Sequence, residues 1–482
     1  MLPSPPSTVL LPSIQLFRAV EERDVARVET LLQDPSLDPN LCTGATRLSP
    51  LLLACFVREI EIVKSLLRHP KIAVNQQQSR GATALYVACQ EGDLEICRLL
   101  LSLPGIDVNL AKHDGVTPLC IACYQGRLPI LQLLLAHTGI DVNRCTLAGD
   151  SPLLVASQRG LVEVVDLLLQ DPRVEVNLPA AAAVDHEEDV VTPLYAACND
   201  PDILVVRSLL RHPRVDVNAR AGDRTTPFYV ACRAGGLDVV EALMQDPRVD
   251  VNASRFTGST GFFMACQNGH TEVVEKLLEN PLVDVSAVMQ DGQTALSVTL
   301  EMNRVDILKM IIASGREVDT AVPIDVTTSI KIIGSPEWVD FLRSFKADHI
   351  LPRDIARGKG HAECLELFDR WHTEPGRLRR ELWLELGLAG KRAAELFALV
   401  IFFADDFLSL PADLPTPGLL GLARFFTIAR HLPIEVQMTL CNRAFGTSQE
   451  LIPRSLSEEA FRLIAWKYAN DPKPTAPPYL FY

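Results

Sequence analysis

Twelve cysteines and ten histidines are the side chains of this 482-residue sequence best suited to bond-making chemistry. Cys120 and Cys123 stand in a Cys-Ile-Ala-Cys run. At that spacing an acidified thiolate can attack a disulfide and be resolved by its neighbour. Such a centre needs an exposed, electropositive thiol. Cys123, however, shares one recurring slot with Cys55, Cys89, Cys198, Cys232 and Cys266. A row of thiols in equivalent places reads as small buried hydrophobes in a reducing compartment, with no disulfide framework. The histidines are scattered without metal-ligand spacing, and His69 and His212 merely precede prolines. There is no glycine-rich loop followed by lysine, no G-x-S-x-G and no H-E-x-x-H. No catalytic, metal or cofactor site is expected, and the chain reads as a non-enzyme. Asn252-Ala253-Ser254 has the form of a glycosylation acceptor, but Asn252 also recurs at a fixed interval as part of a Val-Asn pair.

A formal net charge of -14 sets the chain against nucleic acid and anionic membrane, since binding phosphate needs clustered Lys and Arg. The opening MLPSPPSTVLLPS lacks the basic start and apolar core of a signal peptide. The stretch ELFALVIFFADDFL at 395–408 is interrupted by Glu395, Asp405 and Asp406. It falls short of the roughly 18 to 20 residues that cross a bilayer. A cytoplasmic or nuclear, monomeric protein without membrane insertion is expected.

The elements that position these residues are repeats. Ser49, Thr83, Thr117, Ser151, Thr192, Thr226, Thr260 and Thr294 follow one another at steps of 34, 34, 34, 41, 34, 34 and 34 residues. A first, divergent unit opens near Gln15, giving nine units over 11–320. Thr or Ser before Pro caps a first helix. Glycine nine residues later (Gly92, Gly126, Gly160, Gly235, Gly269) ends it. A second helix then presents an apolar face, as Leu161, Val164, Val165 and Leu168 do. Asp171-Pro172 stops that helix, and VEVN (174–177) is expected to run extended into the next loop. Prolines 35, 70, 104, 213, 247 and 281 fill the same place.

DGVTPLCIACYQGRLPILQLLL at 114–135 resembles the ankyrin repeat family, whose motif is T-P-L-H-x-A, a Gly turn and a V-V-x-L-L-L helix. The resemblance covers about two-thirds of the chain and implies an all-α ankyrin-repeat solenoid. The family histidine is replaced by Leu52, Tyr86, Cys120, Leu154, Tyr195, Tyr229, Phe263 and Ser297. The unit has 34 rather than 33 residues because D-P-x-V/I-D-V-N forms the exit.

Beyond Thr294 the register decays. Residues 335–345 read as one outer helix and 351–371 as a helix pair, so 321–373 is expected to hold degenerate ankyrin-like units. A helical C-terminal domain, a small bundle, is expected over 374–470, with helices near 377–409, 417–431, 433–445 and 456–469. The N-terminal tail 1–10 is expected to be disordered, and the Pro-rich tail 471–482, with its bare PxxP, extended or disordered.

The resemblance implies a protein partner on the concave surface, contacting loop tips and first-helix ends. By register the tips offer Arg80, His113, Asp114, Leu147, Arg224 and Phe256. The helix ends offer Gln90, Glu91, Tyr124, Gln125, Gln158, Arg159, Arg233, Gln267 and Asn268. The long step between Ser151 and Thr192 inserts LPAAAAVDHEEDVV at 178–191, an acidic edge beside that surface or a tolerated loop. Two function classes follow: a scaffold or adaptor, or a ubiquitin-ligase substrate receptor. The second rests on an F-box-like Leu-Pro-x-Glu opening at 432–446.

Overall fold

The computed structural model describes residues 12–397, apart from 36, 44–46, 181–190, 200–202, 334–335, 392 and 395. Beyond them it describes Gln437, Met438, Cys441 and Ala460. The expected N-terminal tail, the Pro-rich tail and the helices at 417–431 and 456–469 therefore fall almost wholly outside the described residues. The chain forms two compact units, Met1–Asp250 and Val251–Tyr482.

In unit 1 helices come in pairs: α1 (Pro12–Glu21) with α2 (Val25–Leu31), α3 (Pro50–Phe56) with α4 (Ile60–Leu67), and α5 (Ala84–Glu91) with α6 (Leu94–Leu101). Then follow α7 (Pro118–Tyr124) with α8 (Leu128–Leu135), α9 (Pro152–Gln158) with α10 (Val162–Gln170), α11 (Pro193–Asn199) with α12 (Ile203–Arg211), and α13 (Pro227–Ala234) with α14 (Leu237–Gln245). First helices pack on first helices and second on second. Helices this short are marginal alone, so the stacking is what holds them.

From α3 on, each first helix of unit 1 opens on its capping hydroxyl: Thr117 Oγ1 accepts the Cys120 N–H at 3.1 Å, and Ser151 Oγ accepts that of Leu154 at 3.2 Å. The hydroxyl cap thus persists without the family histidine. The slot cysteines Cys55, Cys89, Cys123, Cys198 and Cys232 are fully buried between stacked helices. Second helices bury an i, i+1, i+4 stripe, such as Ile130, Leu131 and Leu134. Each fully buried side chain of this kind stabilises by roughly 1.5–3 kcal/mol. Leu161, grouped above with that stripe, is instead the N-cap residue of α10 and is half-buried.

The exit phrase corrects the sequence reading. Residues 174–177 do not run extended but fold into successive turns, with Val174 N–H donating to Asp171 O (3.1 Å) and Leu178 N–H to Glu175 O (3.2 Å). The reason is a ladder of asparagines. Asn109 donates from Nδ2 to the Gly139 carbonyl at 2.7 Å, and its Oδ1 accepts the Asp141 N–H at 2.8 Å. Asn40, Asn75, Asn143, Asn177 and Asn218 make the same pair of bonds to the next exit. The preceding Asp fixes the turn: Asp107, Asp141 and Asp216 accept the N–H of the asparagine two residues on. The valine between them, Val108, Val142 or Val217, plugs the core. In the D-P-R exits, Arg173 and Arg248 reach back to the carbonyls of Leu135 and Leu210 while pairing with Asp171 and Asp246. Those arginines hold both carboxyls below the usual carboxylate range.

Unit 2 continues the pattern with α15 (Gly261–Asn268) and α16 (Thr271–Glu279), then α17 (Ala295–Glu301) and α18 (Val305–Ser314). There follow β1 (Ile324–Asp325), α19 (Val326–Ile333), α20 (Pro336–Ser344), β2 (His349–Ile350), α21 (Pro352–Gly358), α22 (Ala362–Thr373) and α23 (Pro375–Glu385). Asn252 bonds to Leu282 O and Asp284 N–H, as its counterparts do in unit 1. α21 stacks on α17 and α22 on α18, so the helix pair expected at 351–371 is present. α20 fills 335–345 but packs against α19 rather than standing as the outer helix of a repeat. β1 and β2 pair antiparallel at the base of this helical hairpin, Ile324 opposite Ile350. Trp338 and Leu342 close its small core with Ile355. This explains why the next repeat begins at 351 instead of 328: the hairpin is inserted within a loop tip.

α23 closes the outer face of α18. Trp383 Nε1 donates to Ala313 O at 2.8 Å and Arg379 Nε to Ile312 O at 3.1 Å, satisfying carbonyls left over at the helix end. The single helix expected over 377–409 is broken at Leu386–Leu388, where Gly387 takes φ +70° and Leu388 N–H turns back to Trp383 O. Cys441 and Ala460 are buried in one cluster with Leu308, Ile312, Leu382 and Trp383.

Candidate functional site

The loop tips are built by close backbone approach. Gly115 takes φ +81°, and a Cβ there would lie 2.5 Å from the Leu147 nitrogen. That approach lets adjacent tips bond: His113 N–H donates to Arg80 O (3.1 Å) and Leu147 N–H to Asp114 O (2.9 Å). Gln290 N–H donates to Thr257 O in unit 2. The structure thereby joins Arg80, His113, Asp114 and Leu147 in one row through their backbones. Their side chains are exposed, Leu147 by 78%. Arg224 is exposed on a unit 1 tip in the left-handed region, at φ +67°, where other tips carry glycine. Phe256 is exposed on a unit 2 tip with the Arg255 guanidinium 5.0 Å over its ring.

The second set lies at the far end of the first helices, each about 10–12 Å long. Gln90 and Glu91 end α5, Tyr124 ends α7 and Gln158 ends α9. Gln125 and Arg159 are the C-caps of the last two helices. Arg159 stacks over the Tyr124 ring at 4.5 Å, so neighbouring repeats bring these two together. Gln90 donates to Glu91 at 3.3 Å. Arg233 is half-buried and donates to Asn199 Oδ1. In unit 2, Gln267 is half-buried and Asn268, the last residue of α15, is exposed.

Two exposed apolar residues occupy these same helix-end places and were missed: Phe56 in unit 1 and Met302 in unit 2. The register that selected Tyr124 also points to them; the repeats that carry them lack the glycine turn used as a landmark.

Electrostatics along the tips are set by local pairing. Partial burial works to raise the Asp114 pKa, but Lys112 at 2.8 Å and the Val116 N–H outweigh it and hold the carboxyl below its ordinary value. Burial raises the Asp150 carboxyl. The slot thiols Cys55, Cys89, Cys123, Cys198 and Cys266 are pushed upward, chiefly by burial, Cys266 to about 12. Cys120 is likewise raised by burial, so the Cys-Ile-Ala-Cys pair has no acidified thiol. Among the described residues no group of His, Cys, Asp and Glu gathers to hold a metal, and no helix is long and apolar enough to cross a membrane.

The 178–191 insertion is closed at its base by a bridge, Ala180 N–H to Val191 O at 2.9 Å, while residues 181–190 lie outside the described set. The F-box-like segment at 432–446 lies outside it too, save for Gln437, Met438 and Cys441.

Comparison with known proteins matches the family model "Ankyrin repeats (3 copies)" to residues 16–112, 104–180 and 246–321. A second model, "Ankyrin repeats (many copies)", matches 209–262. Among solved structures, the ankyrin repeat domain of Bcl-3, described as a member of the IkappaB protein family, is similar at 25% identity with a TM-score of 0.42. That similarity covers 48% of this chain and 97% of the other. No curated protein matches the sequence.

Proposed function

We propose, from the premise that this chain belongs to the ankyrin repeat family, that it is a scaffold or adaptor binding a protein partner on its tips and first-helix ends. Ankyrin repeats mediate protein–protein interaction, and the residues read from the register are the ones assigned to that role here. The distribution of exposed apolar side chains is the observation that carries the reading. Of the ten large hydrophobics exposed among the described residues, Phe56, Tyr124, Leu147, Phe256 and Met302 fall on tips or first-helix ends. Single exposed apolar residues are ordinary, but recurrence in equivalent repeat positions favours an interaction surface. Tyr, Phe and Arg are also the residue types richest in interface energy.

The test is affinity purification of the full chain beside a Phe56→Ser/Tyr124→Ser/Leu147→Ser variant. A partner on this face is lost or reduced about tenfold in the variant, as removal of central apolar anchors does. Equal recovery of the same partners by a variant with unchanged thermal unfolding contradicts the reading.

A further inference from the structure

Within that surface, one place in unit 1 has the chemistry of a defined anchor. Tyr124 and Arg159 come from adjacent repeats, the ring 45% exposed and the guanidinium 4.5 Å over it. A guanidinium over a ring face is held in place by it and keeps N–H groups that can take a carboxylate through two parallel hydrogen bonds. Arg159 donates to no carboxylate among the described residues. Its companions at these two helix ends, Gln125, Arg127 and Gln158, bring no negative charge. Arg127 and Arg159 thus place two cations at these ends in a chain of net charge -14, while the same place in the next repeat, Asp200, lies outside the described residues. Leu147, 78% exposed, lies on the tip of the same repeat, four residues before the cap of the helix that Arg159 ends.

We propose that Arg159, held by Tyr124, receives an Asp or Glu side chain of an extended partner segment whose apolar residue rests on Leu147. α9 accounts for roughly 10–12 Å of the separation by the helix rise, and the four residues from Leu147 to its cap add at most about 13 Å. At about 3.3 Å per residue of extended chain, the acidic and apolar residues stand roughly three to seven positions apart. A protein segment is favoured over a nucleic acid. A phosphate backbone needs several cations in a row, and the preceding helix end presents Glu91 and Asp93 instead.

This inference rests on the tip-and-helix-end reading, and the experiment separates the two. A random peptide library displayed on phage is selected on the full chain and counter-selected on Arg159→Gln/Leu147→Ser. The expected peptides carry Asp or Glu roughly three to seven positions from a large apolar residue. They lose about tenfold or more in affinity with Arg159→Gln. Arg159→Lys, which keeps the charge but not the fork, does not restore them, and Asp→Asn peptides ignore the Arg159 change, as a double-mutant cycle requires. Peptides without that acidic–apolar spacing, or no enrichment over the variant, overturn the inference. So does tighter binding of a single-stranded RNA pool that survives Arg159→Gln. If such peptides still need Phe56, Tyr124 or Leu147, the general surface stands and only the carboxylate anchor fails. If they bind the Phe56→Ser/Tyr124→Ser/Leu147→Ser variant equally, both fail.

Discussion

At the scale of single residues, the turn after the first helix exposes what each unit tolerates. Gly92, Gly126, Gly160, Gly235 and Gly269 take left-handed φ there, as glycine readily does. Arg23, Arg58 and Asn303 hold the same conformation without that freedom, at φ +57°, +60° and +53°. A residue with a Cβ costs roughly 1–2 kcal/mol in this region. The exposed Arg58–Asp93 pair at 3.6 Å offsets only a little of it. Replacing Arg58 by Gly is therefore expected to stabilise unit 1 by roughly 1 kcal/mol, read as a higher urea midpoint at constant slope. A lower midpoint contradicts the strain argument. Ser297 shows the opposite economy: in the place of the family histidine it closes a reciprocal cap with Thr294, donating and accepting in turn.

At the scale of the element, the exit loop joins the repeats as much as the helices do. Each ladder asparagine makes two bonds to the following repeat. Asn143→Ala removes those to Arg173 O and Glu175 N–H and is expected to cost about 1–3 kcal/mol, at 0.5–1.5 for each bond. Hydrogen exchange should rise at Glu175 more than at the Thr117 helix cap; equal change at both would refute a local, repeat-to-repeat role. The helix pairs were legible in the sequence because caps, prolines and glycines recur at 34 residues. The ladder was not, although every Asn was visible, because periodicity reports where a residue recurs and not what it bonds across thirty positions. The same limit hid the α19–α20 hairpin. Its helical pattern resembled a decaying repeat, and only the β1–β2 pairing identifies it as a tip insertion. At the candidate site the register found Arg159 and Tyr124 separately, while their stacking depends on how neighbouring repeats are offset.

Across the whole molecule, all twelve cysteines are free and ten are buried, with Cys42 and Cys145 partly exposed. The slot thiols Cys55, Cys123 and Cys198 resist ionisation because the thiolate loses its hydration there. A chromogenic thiol reagent at mildly alkaline pH is expected to titrate about two thiols in the native chain and all of them only after unfolding. Rapid native reaction of the slot cysteines would contradict stacked, closed repeats.

The paired necks at Ala180–Val191 and β1–β2 carry one last implication. In both, extra length leaves and re-enters the chain through neighbouring backbone positions, so the stacking faces on either side never register it. Such gateways make natural ports for grafting: a reporter domain with adjacent termini, spliced in at Ala180–Val191, should ride on the array without altering its pitch.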